Sequence, residues 1–454
     1  MHYPSIFNDV LAPVAQGPSS SNTAGPYRIG SVARVLLRGE PNFLKVEMSE
    51  KGGFFSTLYS MDSDKAFIAG ILGKDFIGFD LSLAYQVAKE EGLDYEFVFS
   101  DKIVKEPSEM AILTVKSDLE TLVLTGISLG GGEILISEIN GEPCDIKGIR
   151  AEEVMVKGFD EPRRIPSVYP MSTLKDATPC FTTSVEMLKY AEENKLPLWQ
   201  VAIDYEKSLT GMSDKEIWDK ARQTLEISYE SIDSGHTEDN FFQGVTVAKT
   251  REIDARMKDA TLIPLGAADR GTIDALAIME YSNSHGKIVC MPTGGAAGII
   301  PASIKSTAES LGKTKDDEIK ALLVAGLIGV FYYPTHYHGA LGCQAEVGVA
   351  TSMAAGALAS MLTNDTETIE SAAILAMQCI IGQVCDPIAG YVQIPCFIRN
   401  IASVPIAMTC ANYALLGIDK GVNLDDMVSA VLRVGEKLRA DRINDMGICM
   451  RQIQ

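Results

Sequence analysis

Three cysteines lie in stretches of the chain suited to bringing backbone close to a ligand. Cys343 falls in "GALGCQAEVGVATSMAAGA" (339–357), and Cys385 and Cys396 bracket "CDPIAGYVQIPC". A third stretch of the same character, "MPTGGAAGIIPA" (291–302), carries Thr293. Glycine and proline at this density interrupt helices and let amide groups point into a cavity. Thiolates are ligands of zinc and of iron–sulfur clusters, and three of them leave one metal position open, which separates a catalytic centre from a closed structural one. Spacings of 42 and 11 positions make no compact metal motif, so on spacing alone three buried, inert thiols are an equal reading.

Other groups suit an anion. "GPSSSNTAGPYRIG" runs Ser19, Ser20, Ser21, Asn22 and Thr23 into a helix, and hydroxyls with free amides at a helix N-terminus suit a carboxylate or phosphate. The plain alternative is an N-cap worth about 1 kcal/mol. "SLGGGE", from Ser128 to Glu133, presents amides to an anion or simply turns between strands. Arg399, just beyond Cys396, is a candidate carboxylate clamp because guanidinium pairs bidentately, its alternative being a surface salt bridge. Of the five histidines, His336 and His338 in "PTHYHGALGCQ" stand close before Cys343 and are the candidate acid or base. His285 precedes the glycine-rich turn, and His2 and His236 are expected to be exposed. Cys144, Cys180, Cys290, Cys379 and Cys410 read as small buried hydrophobes, and Cys449 as a tail thiol.

The elements that must position these groups follow from composition and period. A chain of 454 residues, 46% hydrophobic, buries a large core and exceeds what one core usually fills, so two domains are expected. Short β-rich runs such as "MAILTVKS" and "ETLVLTGIS" alternate with helical stretches before about residue 145, predicting an α+β domain over 1–150 with a mostly antiparallel sheet. Residues 151–182, rich in charge and proline, read as the connection. From 183 to 454 the pattern is helical, amphipathic at first and then apolar nearly all round, predicting a large all-α domain. The start of the chain has no basic, apolar leader, and "ALLVAGLIGVFYYP" falls short of a membrane span, so a buried helix in a cytoplasmic protein is expected. A net charge of −20 opposes nucleic acid and anionic lipid as partners. Nine cysteines without a secretion signal predict reduced thiols, and an apolar helical domain predicts a homodimer.

"GCQAEVGVATSMAA", "CDPIAGYVQIPCFIRN" and "PTGGAAGIIPA" resemble the catalytic α region of the bacterial iron–sulfur L-serine dehydratases. "SIFNDVLAPVAQGPSSSNTAGPYRIG", "GGFFSTLYSMDSDKAFIAGILG" and "GISLGGGEILISEING" resemble the same family's β region, in the single-chain β–α order. The resemblance implies that Cys343, Cys385 and Cys396 hold a [4Fe–4S] cluster with one iron left for substrate, acting as a Lewis acid that makes water a better leaving group. It implies substrate contacts from Ser19, Ser20, Ser21, Asn22, Thr23, Ser63, Ser128, Thr293 and Arg399. L-serine would become pyruvate and ammonia without pyridoxal phosphate, and Cys449 would match a tail thiol that caps the free iron in some relatives.

The chain also departs from that pattern. The family carries histidine in its "Ser-Ser-Ser-His-Thr", "Gly-His-Gly-Thr-Asp" and "His-Pro-Asn" motifs, where this chain has Asn22, Met61 and Glu106. Histidine is the side chain best suited to proton transfer near neutrality, so the substitutions point to a changed substrate or reaction, and Glu106 joins the candidate bases. Three functions remain open: a [4Fe–4S] lyase acting on a small 2-amino or 2-hydroxy acid, a cluster-dependent desulfidase acting on cysteine or another thiolated compound, and a non-catalytic anion-binding paralogue.

Overall fold

A computed structural model of the chain describes residues 3–50, 52–100, 109–237, 239–240, 242, 244–336, 341–384 and 393–438. The fold is α+β, and the chain separates into two compact units. One runs from Pro13 to Lys175, and the other combines the residues before Pro13 with those from Asp176 onward. The second boundary falls inside the 151–182 stretch. The first 12 residues go with the helices instead of the sheet.

The sheet unit begins with α1 (Ala24–Leu36), β1 (Phe43–Ser49), α2 (Ser63–Ile71) and α3 (Ala84–Glu90). It continues with β2 (Asp94–Ser100), β3 (Met110–Lys116), β4 (Thr121–Gly130), β5 (Glu133–Ile139) and β6 (Glu142–Ile146). Spatial order is β2-β1-β3-β4-β5-β6. Only β1 and β2 pair in parallel, Phe43 opposite Asp94, and α2 and α3 supply the crossover that parallel neighbours need. The remaining pairs are antiparallel. Alternation puts Leu44, Val46 and Met48 on the buried face with Leu113, Val115 and Leu124, under Ile29, Val32 and Leu36 of α1. Helices α1 and α2 cross where Gly30 and Gly70 meet; a Cβ on Gly30 would strike the Phe67 carbonyl 2.8 Å away, so side chains here would force the helices apart. Val154, Phe159 and Ile165 join this same core, with β7 (Glu152–Val154) and β8 (Arg163–Ile165) paired antiparallel as a separate two-stranded ribbon. The proline- and charge-rich stretch therefore contains structure before it becomes a connection.

The helical unit contains α4 (Ser184–Asn194), α5 (Leu198–Thr210), α6 (Asp214–Thr237), α7 (Thr250–Lys258) and α8 (Ala268–Asn283). After these come α9 (Ile299–Leu311), α10 (Lys315–His336), α11 (Val347–Ser360), α12 (Thr366–Ile380), α13 (Cys396–Leu415) and α14 (Leu424–Lys437). A capping box of Thr183 and Glu186 starts α4, and the Asp365 and Asn423 side chains cap α12 and α14, which fits the sequence preference for such residues at those positions. Helices α10 and α11 have no polar face and form the centre of the unit. Lys315–Thr335 is the one helical stretch among the described residues long and apolar enough to cross a membrane, longer than the apolar run suggests, and nearly all of it is buried inside the protein.

The N-terminal segment is fixed by a buried carboxylate. Glu206 of α5, fully buried, accepts hydrogen bonds from Ser5 Oγ (2.5 Å) and the Ile6 amide (2.8 Å), and Ile6 and Val10 pack against Gly326 and Gly329 of α10. Burial pushes the Glu206 carboxyl from 4.5 up to about 7, the bonds from Ser5 and Ile6 pulling the other way. The folded chain thus keeps a proton that the unfolded chain releases above 4.5, so this group's contribution to stability is full below that pH and declines as pH rises to about 7. Glu206→Ala should lower unfolding free energy by about 2–4 kcal/mol, because it orphans buried donors and leaves a void, and Glu206→Gln by less. Denaturant melts at pH 5 and pH 8 check both the loss and its pH dependence, which Glu206→Gln should flatten.

Candidate active site

The Cys343 and Cys396 neighbourhoods are each built at the end of a helix. After α10 the chain enters a short 3-10 turn, Cys343–Ala345, before α11 begins, and α13 opens at Cys396 itself. Both residues are buried, at 1% and 8% exposure. Gln344 holds the turn in place: its Nε2 donates to the Val431 carbonyl (3.0 Å), and its Oε1 accepts from the Gly382 amide (2.9 Å) beyond α12. Asn400, one turn into α13, donates from Nδ2 to the Gly295 carbonyl (2.7 Å) and accepts at Oδ1 from the Gly298 amide (3.2 Å). One amide side chain thereby locks the Cys396 helix to the glycine-rich turn.

Electrostatics within this cluster favour thiolate. The Cys343 thiol is held below the usual thiol range, first by a hydrogen bond with the Cys396 side chain and also by Arg399, while burial and Glu346 oppose. Arg399 Nη1 donates to Cys343 Sγ (3.1 Å) and to the Val384 carbonyl (3.0 Å). Val384 is the residue immediately before Cys385 in the chain. Burial raises the Glu346 carboxyl above the carboxylate range, the Thr293 hydroxyl pulling the other way. A methyl built on Gly295 would stand 3.5 Å from Glu346 Oε2 and 3.8 Å from Thr293 Oγ1, so the bare turn leaves room beside two oxygens.

Among the described residues, no three cysteine, histidine or acidic side chains gather as a ready metal site. Cys385 lies outside the described residues, as do His338, Glu106 and Cys449, and so does the side chain of His336, the last residue of α10. What is described suits a thiolate-held cluster: two buried thiols in contact, a guanidinium favouring their charged form, and a third cysteine one residue beyond a carbonyl on that same guanidinium.

In the sheet unit the serine-rich turn before α1 makes its own network. Asn22 is 5% exposed; its Oδ1 accepts from Thr57 Oγ1 (2.7 Å) and Ser63 Oγ (3.2 Å), and its Nδ2 donates to Ser19 Oγ (3.1 Å). Ser128 Oγ donates to the Ser21 carbonyl (2.8 Å) from the end of β4, where Gly130, Gly131 and Gly132 turn the chain into β5 with positive φ. Thr23 precedes α1 but makes no side-chain cap; its hydroxyl donates to the Gln16 (2.9 Å) and Ser19 (3.0 Å) carbonyls, so the N-cap reading fails there. Ser20 is buried, and so is Met61. The structure therefore brings Ser19, Asn22 and Ser63 together, and separately Ser21 and Ser128.

Sequence reasoning missed two carboxyls. Glu346 sits in an apolar run three residues after Cys343, and an acidic residue out of place there was the available signal. Glu109, near Ser128, is pushed up to about 7 by burial, a hydrogen bond with Ser128 pulling the other way. Two exposure expectations also change. His236 is only 16% exposed and bonds Asp274 (2.8 Å), a fully buried carboxylate that also pairs with Arg270 (2.9 Å), because a buried charge needs cationic partners. Cys180 and Cys379 are exposed, not buried.

Comparison with known proteins gives this chain relatives. The family model for the serine dehydratase alpha chain matches residues 193–444. The chain is 28% identical to the L-serine dehydratase of Streptomyces coelicolor, covering 95% of this chain and 94% of that one. It is likewise 28% identical to L-serine dehydratase 2 of Escherichia coli, covering 96% of each. A protein of Bacillus subtilis named probable L-serine dehydratase, alpha chain, is 28% identical over 57% of this chain and 87% of its own length.

Proposed function

The chain belongs to the L-serine dehydratase family, in its single-chain form, and from that premise we propose that it is a [4Fe–4S]-dependent lyase acting on a small 2-amino or 2-hydroxy acid. L-serine is the default substrate. The observation that carries this reading is Arg399 Nη1 on Cys343 Sγ, where the Cys343 and Cys396 thiols meet beside the chain leading to Cys385. Cys343, Cys385 and Cys396 would hold the cluster, which when bound supplies Lewis acidity that weakens the bond to a leaving group without redox change.

The protein's own residues supply the rest. Arg399 adds to the Cys396 hydrogen bond in holding the Cys343 thiol below its usual range and is the cation at hand for a substrate carboxylate, since guanidinium carries five donors. Asn400 and Gln344 keep the thiol-bearing turns in register with the glycine-rich turn. A base must take the α-proton; from a 2-amino acid the enamine that leaves tautomerises and hydrolyses to a 2-oxo acid and ammonia, and from a 2-hydroxy acid the enol tautomerises to a 2-oxo acid. His336 and His338 are the proposed base pair of candidates. Changing the one that serves to glutamine should keep the iron yet lower kcat by ~10²-fold or more, because glutamine hydrogen-bonds but cannot exchange a proton. If both single variants stay within a few-fold of the parent in steady-state assays, the base is elsewhere, with Glu346 and Glu106 next in line.

A second reading is favoured by Asn22 and Met61. Both are buried, uncharged and unable to transfer a proton where the family carries histidine, which supports a substrate other than serine, such as a thiolated amino acid losing sulfide. Anaerobic turnover of serine, threonine and cysteine, following 2-oxo acid, ammonia and sulfide separately, distinguishes the two. Absence of turnover on every such acid by iron-loaded protein would overturn both.

A further inference from the structure

Cys379, next to the last residue of α12, and Cys410 of α13 face each other with sulfurs 3.9 Å apart. Cys379 is exposed and Cys410 buried. Fourteen positions separate Cys410 from Cys396 on one helix, a rise of about 21 Å, so this pair is remote from the Cys396 thiol and from the Cys343 thiol that meets it. A disulfide needs sulfurs about 2 Å apart, a closure within reach of side-chain rotation where the two helices already pack side by side.

We propose that Cys379 and Cys410 form a redox-modification site, a dithiol that a small-molecule disulfide oxidises to an intramolecular bridge between α12 and α13. The exposed Cys379 thiol gives up its proton and attacks one sulfur of the reagent; a mixed disulfide forms, and the first reagent thiol leaves with a proton. Cys410 then loses its proton and attacks Cys379 Sγ, expelling the second reagent thiol. Two electrons pass from the protein sulfurs to the reagent, whose sulfur–sulfur bond breaks as the protein's forms. Cys410 is buried and Cys379 exposed, so a reagent in solution reaches Cys379 first and Cys410 is the resolving sulfur; burial also raises the Cys410 thiol. The bridge also gives Cys379 a reversible end state, in place of the sulfinic and sulfonic acids that an isolated exposed thiol reaches.

The test uses the full-length protein, purified reduced and without oxygen, then exposed to oxidised glutathione. A non-reducing peptide map by mass spectrometry should show the Cys379 and Cys410 peptides joined and two hydrogens lighter, with both thiols recovered by dithiothreitol. Cys410→Ala should arrest at a glutathione adduct on Cys379, and Cys379→Ala should leave Cys410 unmodified. Under peroxide, Cys410→Ala should accumulate sulfinic acid at residue 379 while the parent does not. A parent protein whose Cys379 remains a glutathione adduct, or resists the reagent altogether, overturns the proposal. Neither outcome depends on lyase activity or on the bound iron, so the proposal stands or falls apart from the function proposed above.

Discussion

Alanine at Cys343 or at Cys396 is expected to yield a protein that purifies without cluster iron and without lyase activity. A [4Fe–4S] cluster bound by three thiolates carries about four irons per chain, and neither position has a substitute ligand: among the described residues no further cysteine, histidine or carboxylate completes a metal-binding group there. Both thiols are buried, so the variants lose a ligand without gaining solvent as an easy replacement. Cys385→Ala should behave the same way. The parent, purified anaerobically, should be brown, and iron and acid-labile sulfide assays give the content directly. Cys379→Ala and Cys410→Ala should retain the parent's iron, since Cys410 stands about 21 Å along α13 from Cys396 and Cys379 lies against Cys410. A colourless parent with stoichiometric zinc would show a different metal chemistry.

Replacing Arg399 by methionine is expected to lower kcat/KM by ~30-fold or more, because removing one partner of a hydrogen-bonded charge pair whose other member is buried costs about 2–5 kcal/mol. Arg399 is half-buried and its Nη1 bonds Cys343 Sγ and the Val384 carbonyl. Methionine keeps the bulk and loses both bonds along with the positive charge. Two readouts separate its roles. If Arg399 chiefly keeps Cys343 ionised, the variant should release iron faster; if it chiefly binds substrate carboxylate, KM should rise with iron content intact. Lysine should restore part of either effect but not a bidentate grip. A methionine variant with parental iron, kcat and KM would remove Arg399 from the site.

The cysteine-bearing segments could be read in the chain because their signals are local. Glycine, proline and thiol sit within a few positions of one another around Cys343, Cys385 and Cys396, and a break in helical character needs no knowledge of the rest of the fold. The same holds for the mostly antiparallel sheet, whose alternation runs through Phe43–Ser49 and from Ala111 to the end of Met110–Lys116 within each strand. Asn22 is different: its partners Thr57 and Ser63 lie 35 and 41 positions away, and no pattern near residue 22 names them. Glu346, Glu109 and Glu206 acquire their altered acidity from burial by distant segments, so a sequence records only that they are acidic. His236 was misjudged for the same reason, since Asp274 reaches it from another helix.

The residues before Pro13 belong with the helices, while the sheet unit occupies the chain between them and Asp176. The sheet unit is therefore an insertion within the helical unit's own sequence. During synthesis the Ser5–Val10 segment leaves the ribosome first and its anchor, Glu206, only after the whole sheet unit has been made. The helical unit cannot close before both are present. Dividing the gene at the 175/176 junction would put that segment on the opposite polypeptide, turning an internal strap into the tether between two subunits. Co-expressed halves would then be held in part by Ser5 and Ile6 reaching Glu206 across a new chain break, and a helical half made alone would expose the apolar seat of Ile6 and Val10.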